Sequence, residues 1–346
     1  MLITIIVIIG LSVLIVGHEL GHFAAAKLFG LRVDEFGFGF PPRIAAKKWG
    51  ETEYSINWLP FGGFVKIAGE NPESDKEHAT SNMGERKHLF HYQPAWKRVV
   101  VLVAGVAANF LLGWWLLAAT LMMGTSPAVI VAGVSPNSPA EAAGLRAGDV
   151  IRGFKTTEEF VAFVGANRGT EVAIHTVRGS GEETFTLTPR VDPPAGEGAL
   201  GVQLAETGAP PQGFFSALWE GLKSAVYVIG FTFQALGELL RNLFSQGRVS
   251  ADIVGPLGIV AVAQRTGSLG IAYLFELLSL ISLNLAVINL IPFPALDGGR
   301  VLFTAIEKIK GSPIPRHIEG MVNGVGFVLL LALMVLVTVR DVVRWF

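Results

Sequence analysis

The stretch VLIVGHELGHFAAAKLF (Val13–Phe29) sets two histidines and a glutamate inside an otherwise apolar run. An ionisable side chain at membrane depth costs roughly 2.5–3.5 kcal/mol or more, so a cluster of them needs a partner or a function. On a helix, the His-Glu-x-x-His spacing puts His18 and His22 one turn apart on one face. There both imidazoles can bind one Zn²⁺, with Glu19 beside them as a general base. The plainer alternative is a pair of histidines hydrogen-bonded to neighbouring helices, which leaves Glu19 unexplained at that depth.

The rest of the chain supports a membrane setting. Of 346 residues, 51% are hydrophobic and only 16% charged, and the mean hydropathy is +0.51. Those values predict a multi-span membrane protein in contact with the lipid bilayer. A net charge of -1 argues against nucleic acid as a partner, because phosphate binding needs a basic surplus. The absence of cysteine excludes disulfides, a thiol nucleophile and thiolate ligands, so a metal must be held by His, Asp or Glu.

Apolar runs at Leu2–Phe29, Val99–Met123, Ile271–Ile291 and Val322–Val339 approach the roughly 20 residues needed to cross about 30 Å of hydrocarbon. The first lacks the basic start and the small-residue cleavage site of a signal peptide. A fifth run, Ser224–Leu236, is short and flanked by Glu220, Lys223 and Glu238, which predicts an interfacial helix or one packed on protein rather than a span.

The expected organisation has its first span at 1–29 and a β-rich, membrane-associated region followed by a charged loop at 30–97. The second span covers 98–123 and a soluble domain 126–206. A linker, the interfacial helix and a Gly-Pro loop fill 207–270, with the third span at 271–296, a loop at 297–320 and the fourth span at 321–340. Within the soluble domain, TEVAIHTV and ETFTLTP read as strands and TTEEFVAFVGA as a helix, by residue type and turn punctuation.

A catalytic zinc site has three protein ligands and an open position. The best remaining candidate is Asp297 in NLAVINLIPFPALDGGRVLF, just past the third span. Pro292 and Pro294 end that helix, and Gly298 and Gly299 are expected to let the chain turn sharply near the metal.

These motifs together resemble the site-2 proteases, and within them the bacterial regulator-of-sigma-E protease (RseP-like) group. HELGH (18–22), PFGGFVKIAGE (60–70), VAGVAANF (103–110), GPLGI (255–259) and NLIPFPALDGG (289–299) stand in the order of that family. The resemblance implies an intramembrane zinc endopeptidase with His18, His22 and Asp297 as ligands and Glu19 as base. Asn289 would lie near the active site and help hold substrate. The implied substrates are single-span membrane proteins already trimmed outside, of the anti-sigma-factor type, and signal-peptide remnants.

SPNSPAEAAGLRAGDVI (135–151) resembles a single PDZ domain of the circularly permuted bacterial type. ALGVQL (199–204) is placed like its peptide-binding strand, so Leu200, Gly201 and Val202 are candidate contacts for peptide C-termini, by strand addition. The expected fold class is thus an α-helical polytopic membrane protein of four transmembrane helices, with a membrane-associated β-region and one inserted extracytoplasmic PDZ domain (β-rich, α+β).

Lys and Arg number 11 from Lys27 to Arg98 and 4 from Arg300 to Arg316, against 6 across the soluble stretch. The positive-inside rule then places the soluble domain and both termini outside the bacterial cytoplasmic (inner) membrane. Two other classes compete: an intramembrane zinc transporter, which has no use for Glu19, and a non-catalytic PDZ scaffold, for which the metal residues are dispensable.

Overall fold

The computed structural model describes residues 2–70, 86–178, 181–194, 196–246, 255–267 and 269–345, and most of the expected charged loop, residues 71–85, lies outside them. In chain order the elements are α1 (Leu2–Leu28), β1 (Val33–Trp49), β2 (Thr52–Ile67), α2 (Ala95–Met123), β3 (Thr125–Val134), α3 (Pro139–Ala143), β4 (Val150–Ile151), α4 (Thr157–Ala166), β5 (Val172–Arg178), β6 (Gly181–Leu187), β7 (Val202–Ala209), α5 (Phe214–Gln246), α6 (Pro256–Gly267), α7 (Ile271–Leu290), α8 (Asp297–Lys310) and α9 (Arg316–Trp345). They form two compact units, one of residues 1–117, 221–258 and 278–346, the other of residues 118–220 and 259–277.

Among the described residues, four helices are long and apolar enough to cross a membrane: α1, α2, α7 and α9. They correspond to the four expected spans, with altered ends. The third helix stops at Leu290 rather than 296, and residues expected as a loop form α8. The fourth extends from Arg316 to Trp345, beyond the expected 321–340. An apolar run marks only the stretch that lipid or core demands, whereas helical hydrogen bonding continues into polar flanks.

Helix α5 is the largest departure. The expected 13-residue element is part of a 33-residue helix, and it is not among the four candidate spans. Ala225 is buried in a cluster with Leu117 and Leu283, and Thr232 Oγ1 donates to Asn284 Oδ1 at 2.8 Å. Part of this helix packs on α2 and α7, while Tyr227, Phe231 and Phe233 are exposed.

In the first unit, α1 and α2 approach through small residues. A side chain at Gly21 would strike the Ala104 carbonyl and Ala108, and one at Gly17 would strike Leu112. Such contacts let helix backbones close in where no water drives association. Ser279 and Ser282 of α7 donate to the Gly113 and Asn109 carbonyls of α2 at 2.7 and 2.8 Å. Strands β1 and β2, of 17 and 16 residues, are too long to run straight, and their register doubles. Phe36 lies opposite both Tyr54 and Val65, and Tyr54 opposite both Phe36 and Lys47. The bends coincide with Gly39 (φ 77°) and Gly62 (φ 121°), a region open to glycine. Leu31, Val33, Ile67, Phe90 and Val101 form the core beneath them.

In the second unit a five-stranded sheet has the order β6-β5-β4-β3-β7, running from Thr125 to Ala209 rather than 126–206. Val129, Val131, Phe160, Ile174 and Leu187 make its core. Of ALGVQL only Val202 onward is strand; Ala199 and Leu200 are turn residues buried in that core, because their apolar side chains point inward.

Candidate metal centre

His18 and His22 lie in the last three turns of α1, and Asp297 is the first residue of α8. Their donor atoms converge. His18 Nε2 and His22 Nε2 are 3.2 Å apart, and Asp297 Oδ2 is 3.2 Å from the first and 3.3 Å from the second. Ligands about 2.0–2.1 Å from a tetrahedral Zn²⁺ are about 3.3 Å apart, so the three atoms form one face of such a tetrahedron and leave the fourth corner open. Among the described residues this is the one such cluster of three.

One imidazole of the donor set also has its tautomer fixed by a neighbour. The His22 Nδ1–H donates to the Val101 carbonyl at 2.8 Å, which leaves Nε2 with a lone pair aimed at the centre. Asp297 Oδ2 is buried and receives no hydrogen bond of good geometry among the described residues. Lone pairs facing one another without a proton between them fit a cation. Zinc therefore fits the residues present.

Glu19, next to His18 in α1, also meets the β-region. The backbone N–H of Val65 donates to Glu19 Oε2 at 3.1 Å. Gly63 leaves room there, since a side chain on it would touch Glu19 Cγ and Val16. Along α1, an apolar groove of about 500 Å³ is lined by Val13, Val16, Gly17, Leu20, Phe38 and Leu112, among others.

Asp297 is held by its own helix. The turn before it has Ala295 at φ 73°, with its N–H donating to Asn323 Oδ1 at 3.1 Å. Gly298 and Gly299 do not make that turn, contrary to the expectation. They are helical residues where a side chain would strike the carbonyls of Ile291, Leu290 and Phe293, so their role is close approach. Arg300 of α8 pairs with the buried Glu70, and Glu307 pairs with Arg98 at 2.7 Å. Burial would lower the Arg300 pKa, but Glu70 and then Asp297 raise it above its usual value.

The structure brings together three predicted residues, His18, His22 and Asp297, with Glu19 next to His18 in the chain, and the other predicted residues are not in that cluster. Asn289, in the last turn of α7, is half-buried and none of the hydrogen bonds of the described residues involves its side chain. Around Leu200 and Gly201 the main chain is engaged internally: Ala140 N–H donates to the Leu200 carbonyl, Gly201 N–H to Gly198, and Ser135 N–H to the Gly201 carbonyl. Val202 begins β7, the sheet's edge strand.

Sequence reasoning missed Val101, Gly105 and Val65. A side chain at Gly105 would strike both imidazoles. Gly105 and Asn109 do lie within the VAGVAANF motif, four residues apart and hence on one helical face. Val65 and Val101 act through main-chain groups, which carry no residue signature.

The family described as Peptidase family M50 matches residues 6–333. A protein of Clostridium perfringens named as a zinc metalloprotease is 34% identical over 341 residues, covering 97% of both chains. Zinc metalloprotease RasP of Geobacillus kaustophilus is 30% identical over 100% of this chain and 98% of its own. That of Shouchella clausii is 30% identical over 97% of each.

Proposed function

The chain belongs to peptidase family M50 and is a RasP-like zinc metalloprotease of the site-2 protease type, and from that premise we propose that it cleaves peptide bonds within the membrane. The observation that carries this is the ligand triangle of His18, His22 and Asp297 with Glu19 adjacent on a candidate spanning helix. Zinc, when bound, supplies Lewis-acid polarisation of the scissile carbonyl and makes water acidic near neutral pH. Glu19 takes the proton from the attacking water and passes it to the departing amine.

A helical substrate hides its peptide bonds and must be unwound first. The β-region offers a way, by pairing an extended segment as an added strand along Phe36–Phe40 or Tyr54–Lys66. The apolar groove along α1 accepts the segment's apolar side chains, and Asn289, half-buried and with no side-chain hydrogen bond among the described residues, holds its backbone. The substrates are single-span membrane proteins of the anti-sigma-factor type, already trimmed outside, and signal-peptide remnants. The second unit, with its edge strand β7 beside a sheet core, acts as a PDZ domain; Val202, the first residue of that edge strand, is the candidate contact for a peptide C-terminus. The enzyme resides in the bacterial inner membrane with the PDZ domain and both termini outside, as the Lys and Arg bias favours.

The test is co-expression of a tagged single-span substrate with the wild type and with Glu19→Gln. Loss of cleavage in the variant alone supports the proposal, and unchanged processing rejects it.

A further inference from the structure

Two imidazoles bind the metal, and each needs its Nδ1 proton accepted so that Nε2 keeps its lone pair. For His22 the acceptor is the Val101 carbonyl. For His18 the neighbour is Asn109, whose Nδ2 stands 3.3 Å from His18 Nδ1. That is a donor facing the atom that must carry a proton. On the same side chain, Oδ1 is buried with no partner among the described residues. The side-chain oxygen and nitrogen of an asparagine have the same shape, and which is which is assigned from the hydrogen bonds they make.

We propose that Asn109 is the positioning residue for His18. In the metal-loaded state its amide is turned about the last bond, so that Oδ1 accepts the His18 Nδ1–H and aims Nε2 at the zinc. Three observations converge on this. Val101, Gly105 and Asn109 are spaced i, i+4, i+8 along α2 and so form one stripe. That stripe meets His22 at one end and His18 at the other, with Gly105 between, where any side chain would strike both rings. Asn109 is itself 1% exposed, and its backbone carbonyl accepts from Ser282 Oγ, so its position on α2 is fixed against α7. Helix α2 thus carries two acceptors in register with the two histidines of α1. One is supplied by the main chain and one by a side chain. This inference rests on zinc being the bound metal.

The experiment compares zinc affinity, by chelator competition, in the purified full-length wild type, N109D and N109L. A carboxylate can only accept, so N109D is expected to keep an affinity within about threefold of wild type, while N109L is expected to bind about 10–100-fold more weakly. Should N109L not fold, N109S, whose hydroxyl is too short to reach, takes its place with the same expected loss. The visible absorption of the Co²⁺-loaded proteins gives a second reading: N109D resembling wild type, N109L or N109S shifted. Equal weakening of N109D and N109L would mean that Asn109 donates to His18, and wild-type affinity in N109L would mean that it does nothing for the metal; either result overturns the proposal. Loss of zinc from Asp297→Ala but not from N109L separates failure of this inference from failure of the metal site itself.

Discussion

The backbone N–H of Val65 donates to the Glu19 carboxylate at 3.1 Å, joining the C-terminal end of strand β2 to the proposed base on helix α1. Because the donor is main chain, most substitutions at Val65 preserve it, and proline removes it. A hydrogen bond to a charged group contributes about 1.5–3 kcal/mol. Val65→Pro is therefore expected to lower kcat about 10–100-fold with bound zinc unchanged, read by single-turnover cleavage and metal analysis. Wild-type kcat would show that Glu19 needs no such tether.

Asp297→Ala is expected to reduce both activity and zinc content, since it removes one corner of the ligand triangle. Metal analysis of the purified variant decides the matter, and full occupancy would remove Asp297 from the ligand set.

Gly105→Ala puts a methyl group against both imidazoles. Alanine favours helix over glycine by about 0.8–1.0 kcal/mol, so helix content measured by circular dichroism should hold while zinc is lost. A variant that keeps its zinc would show that the two rings can give way.

Glu70→Ala leaves the Arg300 guanidinium unpaired in a buried setting, and breaking such a pair by removing one partner costs about 3 kcal/mol. Lower thermal stability in detergent is expected, together with weaker zinc binding because Arg300 shares a helix with Asp297. The exchange Glu70→Arg with Arg300→Glu is expected to recover part of both. An unaltered melting temperature in Glu70→Ala would deny the pair any structural weight.

With no native cysteine, single cysteines report topology cleanly. Ala166→Cys in α4 is expected to react with a membrane-impermeant thiol reagent from outside, and Ser312→Cys only after the membrane is opened. Labelling of both from one side would reject the proposed arrangement of spans.

Much of this protein could be read directly from its sequence. Hydropathy and length picked out the four helices long and apolar enough to cross a membrane, since lipid demands an apolar surface about 30 Å long whatever the neighbours are. The HELGH spacing identified His18, Glu19 and His22 because an α-helix places residues four apart on one face regardless of context. Asp297 was reachable because a chain without cysteine must complete a His-His site with another His, Asp or Glu, and this one follows a proline-broken span. Helix α5 was underestimated because its polar flanks interrupt the apolar run, and α8 was read as loop because its sequence looks like a turn.

Only the tertiary structure brought Asp297 within 3.3 Å of histidines some 275 residues earlier in the chain, which makes three weak ligands into one site. It also showed that Gly298 and Gly299 allow close packing rather than turning, and that Val101 and Val65 serve the site through a carbonyl and an N–H. Periodicity and side-chain chemistry are properties of the local chain and can be read from residue order. The positions of backbone donors and acceptors relative to distant side chains depend on how helices and strands pack, and every residue but proline has the same backbone groups to offer.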